Sequence, residues 1–193
     1  MLTGLVGSNR NISERIRTEA ITKAVHKGTI HLTGEQYLSG LVLSLSSVLS
    51  QRYAFIAQID KGTSQTLAFY KDGKIADNFS YSLEGSPCEN VVAGAICYYP
   101  KDVKALFPHD SGLNQMGIES YIGTPIPYGN GEIQGLLVLM HDQAMTDIPL
   151  LRRVLEVCVD RVGAEMSRRG TQKNLRKVSN SFASSLSNRW TPA

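Results

Sequence analysis

The residues that could do chemistry are concentrated between Gly85 and Pro125. This stretch holds two of the three cysteines, Cys88 and Cys97, and one of the four histidines, His109. Two thiols suggest redox or thioether chemistry, but a separation of nine residues would place them on opposite faces of one continuous helix. A disulfide would therefore need a bend, which Gly94 permits. Buried structural thiols are the favoured interpretation, because free cysteine is among the most buried residue types.

The same stretch lacks a complete catalytic or metal-binding constellation. The four histidines are scattered, and none has a partner at metal-ligand spacing. His109 and Asp110 could tune a pocket by hydrogen bonding, although a histidine on a surface loop is the favoured interpretation. Tyr98, Tyr99 and Tyr121 could either line a pocket or serve as core aromatics with hydroxyls at the rim. This combination favours a sensing or dimerising module over an enzyme.

Length and composition indicate one cytosolic domain with helical extensions. The chain has 193 residues, of which 42% are hydrophobic and 19% are charged, as in ordinary globular proteins. No run approaches the roughly 18 apolar residues that a membrane span requires. The first residues lack the order of a secretory signal. Three cysteines without metal spacing are typical of reduced thiols in the cytoplasm. We therefore expect a cytoplasmic protein without a membrane partner.

The positive charge is concentrated at the C-terminal end. Six basic residues and no acidic residue occur from Met166 to Ala193, whereas all 17 acidic residues precede this segment. A basic tail could bind nucleic acid or anionic lipid. We favour a solvated linker, because the cluster is small and contains only two aromatic residues. No nucleic-acid partner is expected.

Three helices are predicted from apolar periodicity. Residues 11–26 carry an approximate helical stripe, and a second stripe begins after Thr33, which forms a capping-box pattern with Gln36. Asp147 is a candidate cap for a last long helix, and Gly170 is predicted to interrupt it.

The strand pattern predicts an antiparallel sheet. Residues 53–60, 66–70, 119–127 and 133–141 are rich in strand-forming residues, and Asp72-Gly73 has the composition of a tight hairpin. Ser86, Pro87 and Glu89 mark the start of a short helix between the strands. Sequential hairpins with helices at both ends imply an α+β fold whose terminal helices pack on one face of the sheet.

Five sequence pieces in this order resemble the GAF domain: GSPCENV, CYYP, ALFPHD, MGIESYIGTPIP and GEIQGLLVLMHD. The resemblance is to the bacterial signal-transduction subgroup, as in sensor kinases, cyclic-di-GMP enzymes and transcription regulators. It covers residues 34–166, leaving an N-terminal helix and linker at 1–33 and a basic, serine-rich linker or helix at 167–193. It implies a GAF/PAS-like, six-stranded antiparallel sheet with a ligand pocket on one face.

The resemblance also implies how such a domain works. Terminal helices of GAF domains commonly pair in a parallel dimer and pass a signal to an output domain, so we expect a homodimer through residues 12–25 and 148–166. Nothing in the chain resembles a kinase, a nucleotide cyclase or a helix-turn-helix reader. The output domain or partner protein is therefore expected outside this chain, which is either a fragment or a stand-alone module. The residues expected to contact an unknown small molecule, without catalysing a reaction, are Cys88, Glu89, Cys97, Tyr99, His109 and Tyr121.

Alternatives remain open at this point. The chain could be a ligand-free dimerisation scaffold. It could also be a thiol-dependent reductase of free methionine sulfoxide, but the GAF reductases carry a catalytic cysteine before the strand that here reads SYIGTP, and residues 98–157 contain no cysteine. Bilin-attaching GAF domains carry a cysteine where this chain has Phe107-Pro108-His109-Asp110, so only non-covalent tetrapyrrole binding stays open. The sequence pattern of cyclic-nucleotide GAF domains is absent. The sequence specifies no cofactor.

Overall fold

A computed structural model describes the backbone of residues 5–128 and 130–187. Side chains are described for residues 15–128, 130–172, 175 and 179. The chain begins with two helices and four strands: α1 (Leu5–Thr29), α2 (Gly34–Leu49), β1 (Tyr53–Asp60), β2 (Thr63–Lys71), β3 (Lys74–Ala76) and β4 (Ser80–Ser82). It continues with α3 (Pro87–Val92), β5 (Cys97–Tyr99), α4 (Val103–Leu106), α5 (Ser111–Gln115), β6 (Ser120–Pro127), β7 (Ile133–His141) and α6 (Ile148–Ser187).

The strands form one antiparallel sheet in the order β3-β2-β1-β7-β6-β5. The short strand β4 pairs with the same edge of β2 as β3, further along the strand, so the sheet is six positions wide. The β2–β3 hairpin turns at Asp72 and Gly73, both with positive φ, as the Asp-Gly pair predicts. The predicted six-stranded antiparallel sheet is therefore confirmed, with β4 as an addition at its edge.

The three long helices cover one face of the sheet, and the short helices and loops cover the other. Strand β7 contributes to both layers, because Leu137 and Leu139 pack in the helical core while Leu136, Val138 and Met140 pack on the opposite face. This double burial explains why the strand reads as a continuous apolar run. The predicted packing of the terminal helices on one face is confirmed.

Helix α6 ties down the ends of the two N-terminal helices. The Arg161 guanidinium donates hydrogen bonds to the carbonyl oxygens of Thr29 (3.2 Å) and Leu32 (3.4 Å), near the C-terminal end of α1. The Glu165 carboxylate accepts a hydrogen bond from the Gly34 amide at the first residue of α2 (2.9 Å). The predicted capping box is wrong, because Thr33 occupies the N-cap position without a side-chain hydrogen bond there. A tertiary carboxylate satisfies the helix end instead.

Helix α6 is longer than its sequence pattern predicts. Asp147 caps it as expected, since its Oδ1 accepts a hydrogen bond from the Leu150 amide at 3.3 Å. The predicted interruption at Gly170 is wrong, because the helix continues to Ser187 and spans 40 residues. A single glycine costs a helix only about 1 kcal/mol, which does not end it. The C-terminal segment at 167–193, expected to be a linker or helix, is helical to Ser187, and residues 188–193 lie outside the described residues.

Small residues bring β7 and α6 close to their neighbours. A Cβ atom at Gly135 would collide with the backbone carbonyl oxygen of Ala57 on β1 and with the Met166 side chain. The buried Gln134 amide donates hydrogen bonds to the carbonyl oxygens of Pro127 (2.9 Å) and Gly163 (3.2 Å), which joins α6 to the end of the sheet. The tight approach of helix to sheet depends on these positions.

Two glycine substitutions test this packing. Gly135→Ala should lower the free energy of unfolding by about 1–3 kcal/mol, because the added methyl group meets a backbone atom that cannot move aside. Gly170→Ala is the control: nothing lies within 4 Å of its Cβ position, so the change should raise stability by about 0.5–1 kcal/mol. Urea unfolding measures both. Equal stability of the Gly135→Ala variant and the parent would contradict the described contact.

Candidate functional site

A cavity of about 390 Å³ lies on the face of the sheet opposite the long helices. Its walls combine aromatic rings with flexible apolar side chains, namely Phe55, Phe79, Tyr81, Tyr121, Leu113, Met116 and Met140. Polar groups from β4, the start of α3 and the start of α5 also line it. A mainly apolar cavity with a few polar groups is the usual form of a small-molecule site.

A buried thiol between two phenol groups lies in this cavity. The Tyr81 hydroxyl donates a hydrogen bond to Cys88 Sγ at 3.1 Å, and the Tyr121 Oη lies 3.2 Å from the same sulfur. Cys88 is only 3% exposed. Burial raises the pKa of the Cys88 thiol to about 11, and it also raises the pKa values of Tyr81 and Tyr121. All three groups therefore keep their protons at neutral pH.

The start of α3 places Cys88 against the sheet. Ser86 stands at the N-cap and Pro87 at the first helical position, as predicted. The Ser86 hydroxyl, however, donates to the Leu83 carbonyl oxygen (2.7 Å) instead of capping α3. The Glu89 carboxylate accepts a hydrogen bond from the Gly85 amide at 3.0 Å. The predicted capping box is thus replaced by bonds to the residues before the helix.

A short helix that the sequence pattern did not predict, α5, forms another wall. The Asp110 carboxylate caps it by accepting a hydrogen bond from the Leu113 amide at 3.1 Å. This cap places His109 and Asp110 beside the cavity and turns Leu113 and Met116 into its wall. Asp110 is a typical N-cap residue, and this is the one sequence signal for α5. The helix has only five residues, so its apolar side chains show no periodicity that would predict it.

Three of the six residues predicted to contact a ligand line the cavity: Cys88, His109 and Tyr121. The structure does not place the other three on its wall. Glu89 is exposed and bonded to the chain before α3.

Cys97 and Tyr99 both lie on the edge strand β5. The Tyr99 hydroxyl accepts a hydrogen bond from the Asn90 side chain at 2.7 Å, and its ring packs edge-on against Phe107 with centroids 5.0 Å apart. Neither residue belongs to the cavity lining, although the Tyr99 ring lies behind the wall beside Tyr121, with ring centroids 6.1 Å apart. Ligand contact by any of the six residues stays a prediction.

Most of the aromatic wall comes from residues that are far apart in the sequence. Phe55 comes from β1, Phe79 and Tyr81 from the β4 segment, and Met140 from β7. Phe79, Tyr81 and Leu83 alternate with serines, which is typical of a half-buried strand, but this pattern does not show what the strand covers. Only the pairing of β4 with β2 brings these rings over Phe55, where the Phe55 and Tyr81 centroids are 6.1 Å apart.

Several further features constrain the chemistry. All three cysteines are free. Among the residues whose side chains are described, no group of three or more His, Cys, Asp or Glu could hold a metal ion. None of the described helices combines the length and apolar character that crossing a membrane requires.

Comparison with known proteins gives matches at the level of structure only. No family profile and no curated protein matches the sequence. The GAF domain of a phosphoenolpyruvate-protein phosphotransferase (ptsP) from Coxiella burnetii superposes with a TM-score of 0.68 at 15% identity, over 82% of this chain and 98% of that domain. The GAF domain of A. aeolicus nlh2, in an inactive state, has a TM-score of 0.59 at 20% identity, with the same coverage.

A third similar structure contains a bound pigment. It is the phycoerythrobilin-bound GAF domain from a cyanobacterial phytochrome, with a TM-score of 0.60 at 15% identity, over 82% of this chain and 99% of that domain. The three superpositions show a shared fold. At sequence identities of 15–20%, they show the fold alone.

Thiol titration tests the description of the site. In the native protein at pH 8, Cys97 should react first with a disulfide reagent such as DTNB, because it is partly exposed. Cys88 and Cys158 should react only on unfolding, because burial raises each pKa to about 11 and the thiolate is the reactive form. Cys97→Ser should therefore remove the fast phase. A fast phase that persists in Cys97→Ser and disappears in Cys88→Ser would contradict the buried site.

Proposed function

We propose that this chain, which has the fold of GAF domains, is a sensory or regulatory domain of bacterial signal transduction. It binds a small molecule in the aromatic cavity, catalyses no reaction, and transmits the binding event through paired terminal helices to an output domain or partner protein. We place it in the cytoplasm, with neither nucleic acid nor membrane as partner. The observation that carries the proposal is the cavity that contains Tyr81, Cys88 and Tyr121.

The cavity has the properties of a ligand site. Its volume of about 390 Å³ falls within the range of small-molecule pockets. The thiol and the two phenols within it bond to one another, and a ligand could exchange those bonds for its own. The phytochrome domain with the same fold holds phycoerythrobilin, which indicates that this fold can accommodate a ligand.

The strands provide a physical route from the cavity to the helices. On β1, Phe55 lines the cavity while Ile56 packs in the helical core. On β6, Tyr121 lines the cavity while Ile122 packs in the helical core. Adjacent strand residues point to opposite faces, so a shift of the aromatic wall moves groups that contact the helices. Close-packed cores transmit such displacements.

The state of Cys88 supports a function without catalysis. A nucleophilic or redox cysteine acts as its thiolate, and catalytic cysteines have lowered pKa values in partly exposed sites. Cys88 is buried, and its pKa is raised to about 11. Burial also raises the pKa of Cys97. We therefore rank the methionine sulfoxide reductase below the sensor, and absence of any turnover by the parent protein would eliminate it.

The outward face of the terminal helices supports dimerisation. Helices α1 and α6 run side by side in the same direction, as the Arg17–Asp147 ion pair (2.7 Å) and the Arg161–Thr29 hydrogen bond (3.2 Å) show. Apolar side chains remain exposed on both helices, with Ile16 at 61% and Val157 at 57%. A second copy of the chain, with the same exposed residues, could cover these side chains and form a parallel helix bundle.

The extension of α6 continues this outward face. Val157, Ala164 and Thr171 recur every seven residues on its exposed side, which is the repeat of a coiled coil. Leu175 is 64% exposed and follows Val157 by 18 residues, or about five helical turns, so it lies on the same face. The helix extends about 30 Å beyond Met166, the last of its described side chains in the core. Pairing along this stripe would carry a signal away from the domain.

A thermal-shift screen tests the sensory function. The panel contains nucleotides, amino acids, tetrapyrroles and small amines, so that anions, neutral molecules and cations are all represented. We expect at least one compound to raise the melting temperature, because a ligand that binds the native state stabilises it. Met116→Trp places a large ring on the cavity wall and should abolish that shift. Tyr128→Trp, outside the cavity, is the matched control and should keep it. If Met116→Trp does not fold, Ser82→Trp at the cavity replaces it.

The outcomes separate the sensor from the scaffold. A shift that survives the cavity variants would place the ligand elsewhere. Absence of any stabilising compound, together with an intact dimer, would support the ligand-free scaffold instead.

Sedimentation velocity tests the dimer. Val157→Glu should convert a dimer to a monomer, because it buries an unpaired charge in the proposed interface. Ile75→Glu is the matched control, since Ile75 is an exposed isoleucine on β3, remote from α6. It should leave the dimer intact. The proposed pairing would be refuted if the parent protein sediments as a monomer at about 100 micromolar. A dimer that is not formed at this concentration would have a dissociation constant above it, which is weak for specific association.

A further inference from the structure

The cavity carries an uneven distribution of charge. Two carboxylates, Glu84 and Asp110, belong to its lining. Among the described residues that line it there is no lysine or arginine, and His109 is the one side chain that can become cationic. Five of the six basic residues in the C-terminal cluster belong to α6, which is another element. A bound anion would therefore be repelled by the two carboxylates. The lining has no arginine or lysine that could compensate the free-energy cost of removing the anion from water.

The position of Asp110 is set by the fold. One of its carboxylate oxygens accepts a hydrogen bond from the Leu113 amide (3.1 Å) at the start of α5, which holds the side chain at the cavity. Burial is the main cause of the raised pKa of Cys88, and the negative charge of Asp110 adds to it. The charge of Asp110 therefore acts inside the cavity and favours a positively charged occupant there.

The aromatic wall suits the same occupant. Phe55, Phe79 and Tyr81 form a contiguous cluster, with ring centroids 5.7–6.4 Å apart. Aromatic faces attract ammonium groups, and this attraction strengthens where water is excluded. The phenols and the thiol are neutral at the pH of the cell, so they add hydrogen-bonding capacity without charge.

We propose that the cavity selects a small organic cation, a protonated or quaternary amine with an apolar or aromatic body, over a neutral or anionic molecule of the same shape. The apolar body would lie among Phe55, Phe79 and Met140, and the ammonium group would lie beside the Tyr81 ring, toward Asp110 and Glu84. This inference rests on the proposed ligand-binding function and specifies its chemical class. Nucleotides and carboxylates are disfavoured ligands on this proposal.

Three probes of similar size isolate the charge: 2-phenylethylamine as the cation, 2-phenylethanol as the neutral analogue and phenylacetate as the anion. Binding is measured by calorimetry on the full chain at constant ionic strength. We expect the amine to bind about tenfold more tightly than the alcohol, which corresponds to about one well-placed charge interaction. Phenylacetate should bind more weakly than the alcohol.

Variants that remove a carboxylate charge provide the second test of cation selection. Asp110→Asn keeps a good N-cap for α5 but removes the charge, and Glu84→Gln removes the other carboxylate. Each should weaken amine binding about three- to tenfold and leave alcohol binding unchanged. Glu132→Gln is the matched control, because Glu132 lies in the β6–β7 turn at the opposite end of those strands from Tyr121 and Met140. It should change neither affinity.

Each outcome separates this inference from the proposed function. Equal or tighter binding of phenylacetate would overturn cation selection while leaving a ligand site in place. Equal losses for amine and alcohol in Asp110→Asn would also overturn it, because a charge effect acts on the amine alone. If no probe binds but a neutral or anionic compound gives a shift that Met116→Trp removes, only the ligand class is wrong. If neither the probes nor the wider panel bind, both proposals fail.

Discussion

Burial of the central strands on both faces is the constraint on which the rest of the structure depends. Leu137 and Leu139 of β7 require cover from one side, while Leu136 and Met140 require it from the other. Three long helices supply a continuous apolar surface for the first face. The second face is covered by short helices and a strand at the sheet edge, which cannot close over it completely. The cavity is the space that this incomplete cover leaves.

The cavity and the helices are connected because they share the same strands. A single residue step on β1, from Phe55 to Ile56, crosses from the aromatic wall to the helical core. Within the helical layer, Arg161 and Glu165 of α6 hold the ends of α1 and α2. A domain built in this way has few independent parts, so occupancy of the cavity and the arrangement of the long helices are expected to influence each other.

Much of the fold could be predicted because its determinants are local. The apolar run at 133–141 matches β7 from end to end, and the Asp72-Gly73 hairpin follows from positive-φ turn chemistry. One error occurred where a distant group changed a local outcome, and another where the rest of a long helix outweighed one unfavourable residue. Thr33 carries a capping pattern, but a carboxylate from α6 takes its place. Gly170 reads as a helix end, but one glycine costs about 1 kcal/mol and a long helix absorbs it.

The sequence by itself determined the order of the long helices and main strands and the antiparallel sheet, because these depend on periodicity, turn residues and short spacings. Only the tertiary structure decided which side chains share the cavity. Cys88 and Cys97 are close in sequence, yet Cys88 bonds to Tyr81 and Tyr121 while Cys97 lies on an edge strand. Strand pairing sets these distances, and pairing joins residues far apart in the chain, beyond the reach of any local pattern.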